Sequence, residues 1–457
     1  MHDPATAVAE YLGASQVPPR TGVPATSQVP ELIALGLRER LTLLESGEIA
    51  RPGWNEVADK WSGAADSRYR ACAELRPGGH RAAAVRLGVK DTIDVAGFAT
   101  RLGLRRYRHY PAQDAAALRG LGRTAVLAKL VTTELNIGIG SGCVNPCFPA
   151  IDPAGSSTGC GVAVAARICD VALGTDVLGS VRWPSGRCGV VGLRATHNPR
   201  LLPGMFPLSP SMDAVGWVAR TADDLAVLAE RGVLPIAAPP VPRRLTIGVV
   251  AEVMESGPEQ QILTALDRTR AALGEAGHRT VTARIGAAWH RRGDAWELCA
   301  RQAWEGYQRW NAQIADELSE STLAALRSGA QVRPERAAEI LDDQRSLRAG
   351  TAGLFAGTGV DAWLLPLDPD VPRPSGDRPA ASSLIMPGHP DFDREIGYTP
   401  LASYAGLPAV VFPVSRDSAG LAPLAMQLMG PPAGEALLIG LVRQIERLLD
   451  DIPGLPT

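Results

Sequence analysis

The chain is 457 residues long, enough for one large domain or two to three ordinary ones. Hydrophobic residues make up 46% and charged residues 21%, which marks a soluble globular protein and excludes a disordered one. A formal net charge of -2 gives no electrostatic footprint for nucleic acid.

In chain order, "MHDPATAVAEYLG" lacks the basic start and apolar run of a signal peptide. Residues 1–80 hold helical patches such as "VPELIALGLRERLTLLESGEI" between Pro- and Gly-rich links, and read as a helical N-terminal cap. From Arg86 to Thr196 strands and helices alternate. "RLGVK" and "TAVLAKLV" read as buried strands with a helix over "QDAAALRGLG" between them. "TGCGVAVAARICD" reads as a small-residue helix, and "VALGT" and "VVGLRA" as further strands. "CGVAVAARICDVALG" is interrupted by Arg167 and Asp170, so it cannot cross a bilayer, and a cytoplasmic protein without a membrane partner is expected.

"LTIGVV", "EQQILTALDRTRAALGEAG" and "RTVTARIG" form a βαβ unit. A variable helical stretch covers about 235–360, and Trp296, Trp304, Tyr307 and Trp310 are spaced for one face of it, as core or pocket lining. Strands "DAWLLPL", "PAVVFPV" and "LAMQLMG" and a final helix, "GEALLIGLVRQIERLLDD", occupy 361–451. The alternation predicts an α/β fold: a single large α/β/α layered domain with a central mixed, mostly buried sheet flanked by helices.

Five of the seven cysteines fall between 143 and 188, but their spacings follow no zinc pattern, so no metal and no cofactor is expected. Of 46 basic residues only Lys60, Lys90 and Lys129 are lysines. Lys90 closes the apolar run "AAVRLGVK". It reads either as a side chain snorkelling from a strand end or as a buried amine with a lowered pKa, usable as a base.

Three arrangements compete for the chemistry. "GSSTG" matches G-x-S-x-G with Ser157 in the middle, but a proline-laden loop precedes it where a nucleophile elbow needs a strand. "GIGSGC" and "GSSTGCG" lack the lysine of a P-loop and the spacing of a dinucleotide fingerprint. The third arrangement joins Lys90, Ser156 and Ser180. A serine hydroxyl needs a base, burial can keep a lysine neutral, and a second serine can relay the proton. Backbone N–H groups on the "DVLGS" turn would then face a developing oxyanion.

The runs "GVKDTIDVAG", "GSSTGCGVAVAA" and "ALGTDVLGSVRWPSGRCGVVGLRAT" resemble the amidase signature family of serine hydrolases. The 24 positions between Ser156 and Ser180 match the family's spacing, and "KLVTTELN" and the tail "YTPLASYAGLPAVVFPVSRDSAGLAPLAMQLMGPP" add support. The strong motifs cover Arg86–Thr196 and Tyr398–Pro432, which makes 81–457 the family domain with core motifs in 86–196. The resemblance implies Ser180 as acyl-forming nucleophile, Ser156 as bridging serine in a cis peptide with Gly155, and Lys90 as general base and then acid. It further implies an oxyanion hole from the backbone amides of Val177, Leu178, Gly179 and Ser180. Asp176 and Arg182 are expected to brace the turn as a buried ion pair. Ser157 is expected to cap the following helix or support Lys90.

Departures from the family pattern mark the substrate side. Leu178 stands where glycine is usual, Trp183 where an aliphatic residue is usual, and Ser403 where asparagine is usual. A leucine resists the φ > 0 conformations open to glycine and sets a side chain beside the acyl site, which either favours small or flat acyl groups or weakens the oxyanion hole. The expected partner is a small-molecule amide, with room for a homodimer. The alternatives are acyl transfer to an amine, a weakly active binding protein on the same fold, and an amidotransferase subunit. His389, Asp391 and Arg394, in a C-terminal loop, read as solvated charges.

Overall fold

The computed structural model describes residues 29–78, 84–121, 124–137, 140–240, 244–374 and 392–449, without the side chain of residue 311. Eleven strands among the described residues join into one sheet. They are β1 Cys72–Leu75, β2 Val85–Lys90, β3 Thr124–Leu130, β4 Val171–Asp176, β5 Val191–Arg194, β6 Ala214–Ala219, β7 Thr246–Val250, β8 Arg279–Ala283, β9 Ala362–Pro366, β10 Ala409–Arg416 and β11 Pro423–Met429. The spatial order is β1-β3-β2-β4-β6-β5-β10-β11-β9-β7-β8. β2 pairs in parallel with β3 and β4, and β7 with β8 and β9, while the remaining pairings are antiparallel. The fold is the expected α/β type with a mixed sheet.

β2, β4 and β6 are buried along their whole length, as strands covered on both faces must be. Side chains alternate between two cores. Leu87, Val89, Leu173 and Leu193 join the larger one, closed by the helices Ala222–Glu230, Gln260–Glu275 and Glu435–Leu448. Ala128, Leu130, Ala172 and Val218 face the helix Thr158–Ala165 on the other side. Gly159 shows how close that helix lies: a Cβ there would sit 2.5 Å from Ala71 O and from Val131 N. The small residues of "TGCGVAVA" let the helix rest directly on backbone.

Three expectations change. The stretch "QDAAALRGLG" forms only the 3₁₀ turn Ala116–Leu118, because Ala115 N–H and Ala116 N–H donate to Asp94 O and Pro203 O instead of to a helix. β1 and β6 were not anticipated. The N-terminal helices Glu31–Ala34, Leu37–Ser46 and Arg51–Tyr69 are more than a lid, since Leu37 and Leu41 belong to the same core as the central strands. The helical stretch is carried by Ala287–Ile314, Glu320–Gln331 and Pro334–Ala349, packed around Leu298, Tyr307, Leu326 and Ile340. Its aromatic stripe splits: Trp304 meets Tyr307 and Trp310 meets Phe206, whereas Trp296 packs edge-on against Phe392. Val177 and Leu178 join this cluster, which sets the helical stretch beside the turn after β4. No helix among the described residues is long and apolar enough to cross a membrane.

Candidate active site

Lys90 is the last residue of β2 and fully buried. Its Nζ donates to Ser156 Oγ at 2.7 Å and to Thr175 Oγ1, near the end of the neighbouring β4, at 2.9 Å. Burial removes the water that stabilises an ammonium and pulls its pKa down to about 7, against the opposing pull of the Asp213 and Asp176 carboxylates. The side chain is therefore the buried amine of the two readings given for it.

Ser156 follows a cis peptide bond with Gly155 and lies at the mouth of the helix Thr158–Ala165, fully buried. Ser157 occupies the N-cap position without capping through its side chain; its Oγ donates to Thr175 O at 3.1 Å. It thus holds the strand that presents Thr175 to Lys90. The Ser157 N–H donates to Ser180 O at 3.0 Å, fastening the Ser156 loop to the turn that carries Ser180. Ser180 itself is half-buried, and its hydroxyl makes no hydrogen bond to Ser156 among the described residues.

That turn is built on Asp176. Its Oδ1 accepts from Arg182 Nη2 at 2.9 Å and Arg194 Nη1 at 3.0 Å, and its Oδ2 from Arg182 Nε at 3.1 Å, all three residues being inaccessible to solvent. Burial alone would raise the carboxyl, but Arg182 and Arg194 hold it well below the ordinary range. The expected brace is present, and Arg194 is a third member that spacing did not reveal. Arg182 also donates to Thr399 O at 2.8 Å, Gln427 Oε1 at 3.1 Å and Ser403 Oγ at 3.0 Å. Ser403 therefore serves as an acceptor where the family usually has asparagine.

Asp176 also takes backbone N–H groups: Gly179 at 3.2 Å, Val181 at 3.2 Å and Arg182 at 3.3 Å. The Gly179 N–H is thus turned toward a carboxylate. Those of Val177, Leu178 and Ser180 make no hydrogen bond within the described residues. The left-handed position of the turn is Gly179, with φ 114°, and not Leu178. A Cβ at Gly179 would meet Trp183 Cδ1 at 2.4 Å and Thr399 Oγ1 at 2.7 Å, so the glycine is required where the chain keeps it. Leu178 is half-buried and packs against the apolar cluster of the helical stretch, and its carbonyl accepts from Thr399 Oγ1 at 2.6 Å. Trp183 Nε1 donates to the same Thr399 Oγ1 at 3.2 Å.

Sequence reasoning missed Thr175, Arg194 and Asp213. Asp213 is buried, accepts the Ser209 N–H at 3.1 Å, and is pushed up to about 7 by burial, with Arg194 and Lys90 lowering it in part. None of the three stands in a run whose pattern distinguishes it from core. Arg394 pairs with Asp370 at the surface, while His389 and Asp391 lie outside the described residues.

A family model described as Amidase matches residues 54–439. The chain is 31% identical over 310 residues to 2-amino-5-chloromuconic acid deaminase of Comamonas testosteroni, covering 65% of this chain and 64% of that one. It therefore spans a little under two thirds of that relative's length. It is 30% identical over 428 residues to a chloroplastic/mitochondrial glutamyl-tRNA(Gln) amidotransferase subunit of Zea mays, covering 82% and 78% of the two chains. A solved structure described as an amidase superposes with a TM-score of 0.77 at 24% identity, over 91% of this chain and all of that one, a likeness of fold.

Proposed function

The chain belongs to the amidase signature family, and from that premise we propose that it hydrolyses a small-molecule amide or amide-like C–N bond through an acyl-enzyme on Ser180. The observation that carries this reading is Lys90 Nζ at 2.7 Å from Ser156 Oγ, in a site dry enough to bring the amine to about 7. Neutral Lys90 takes a proton from Ser156, which takes one from Ser180 once the Ser180 hydroxyl turns toward it. Ser180 Oγ then bonds to the carbonyl carbon, and the C=O electron pair moves onto oxygen. The N–H groups of Val177, Leu178 and Ser180 are the oxyanion donors in this scheme. Collapse breaks the C–N bond, and the departing amine takes its proton from Lys90 through Ser156. Water cleaves the acyl ester by the same path in reverse.

Leu178 and the apolar cluster it packs against favour a flat or apolar acyl group. A polar, extended acyl chain would leave its hydrogen-bonding groups unpaired against these side chains.

The test is an amide panel with ammonia release and intact-mass readout. Wild type should release ammonia and accumulate an acyl adduct. Ser180→Ala should form no adduct and lose roughly 10⁴-fold or more in kcat. Turnover by Ser180→Ala at the wild-type rate removes the mechanism. The likeness to an amidotransferase subunit supports a second reading, acyl transfer to an amine; there, added amines would discharge the adduct faster than water does.

A further inference from the structure

Four arginines converge beneath the N-terminal helices, in a recess that shares no residue with the Lys90 site. Arg40, Arg86, Arg167 and Arg220 line it with Asp170 and Asp224. The first three are at most 4% exposed, and Arg220 is 15% exposed through its side chain.

The acceptors are too few for these donors. Asp170 is shared, taking Arg86 Nη2 at 2.8 Å and Arg40 Nη2 at 2.7 Å. Asp224 approaches Arg220 Nε only to 3.6 Å. Arg167 Nη1 donates to Ile33 O at 2.9 Å and Ala34 O at 2.7 Å, and Arg220 Nη2 to Leu35 O at 3.4 Å. Glu446, outside the recess lining, holds the Ala222 N–H, and burial pushes its carboxyl up to about 8. Among the described residues, four guanidinium groups thus face two carboxylates. Arg40 Nε, Arg86 Nη1 and Arg167 Nε are buried with no hydrogen-bond acceptor among the described residues. The Trp54 ring packs against Arg40 and Arg86, at 4.4 and 5.1 Å from their guanidinium carbons, but a ring face offers only a weak acceptor. Arg167 shows the strain electrically: burial, and then the neighbouring Arg220, draw it down to about 9.

The recess leaves about 20 Å³ for the centre of a water-sized molecule, which is room for one or two waters or one compact anion. A phosphorylated metabolite does not fit. A water could accept from the orphaned N–H groups but would leave the surplus of positive charge untouched; an anion answers both. We propose that this recess binds a single monoanion of chloride size among Arg40, Arg86, Arg167 and Arg220. Because Arg40 comes from the helix Leu37–Ser46 and Arg86 from β2, the anion fastens the N-terminal helices to the sheet.

The full-length chain can be melted in sodium chloride, sodium bromide and sodium gluconate at equal ionic strength. Chloride and bromide should raise Tm over gluconate by roughly 1–3 °C at a hundred-fold excess over Kd. They should also slow amide exchange across Glu31–Ser46, and crystals grown in bromide should show an anomalous peak between Arg86 and Arg167. Arg220→Gln, at the rim, keeps the buried pairs and should cut the halide response by at least half; Arg86→Met should abolish it if the variant folds. Equal melting and exchange in halide and gluconate overturn the proposal, and so does an unchanged halide response in Arg220→Gln. A bromide peak without any difference in solution means an adventitious ion only and overturns it as well.

Discussion

Lys90 is given the role of base in the proposed mechanism because its surroundings make a poor solvent for an ammonium, and two buried carboxylates restore only part of what burial removes. The amine form is the active one, so kcat/KM should rise with pH as one proton leaves near pH 7 and then level off. A pH series on the best amide substrate checks this; a profile flat between pH 6 and 8 excludes Lys90 as the titrating base. Lys90→Arg should be inactive at every pH, since a guanidinium does not give up its proton in this range. This residue was legible because the chain keeps so few lysines and ends a strand on one. Thr175, which receives its second hydrogen bond, was not: a threonine in a strand looks the same whether its hydroxyl serves the core or a catalytic amine. Asp213 was hidden for the same reason, a single acid whose burial only the fold reveals.

The element that matters most is the turn from Asp176 to Arg182. Its sequence announced a tight, braced turn, and the brace is there. The conformational demand lies one residue later than the family pattern suggested: Gly179 carries the positive φ, so Leu178 sits without backbone strain. Leu178→Gly should accordingly cost about 1–3 kcal/mol, from added backbone freedom and lost apolar burial, and widen the range of acyl groups turned over. Steady-state kinetics on amides with graded acyl size test it; unchanged selectivity means that Leu178 does not border the acyl group. Elsewhere, elements were legible where burial and period spoke together, as in β2, β4 and the final helix. They were lost where tertiary partners overrode local preference. "QDAAALRGLG" has helix-forming alanines, but distant carbonyls claim its first N–H groups. "AVGWVA", which is β6, was passed over although it sits between β4 and β5 in the sheet.

Across the whole molecule, the sheet order could not be read from one chain, because adjacency of β5 and β10 is a contact between segments with nothing local in common. The brace of the turn after β4 is of the same kind. Asp176 joins two arginines, and one of them spans to β11 through Gln427. Asp176→Asn would leave Arg182 and Arg194 buried without their counter-charge, and should cost about 3–5 kcal/mol of global stability. Denaturant unfolding of the variant measures this, with the midpoint falling and the slope unchanged.

This long reach has a consequence for how the protein is made. Beyond Asp176, the acceptors of Arg182 lie 217 to 245 residues downstream, so a ribosome has already released this turn long before they exist. Until the strand carrying Gln427 emerges and docks, the turn holds its buried charges without their full set of acceptors. The turn is therefore completed only when segments far along the chain dock against it.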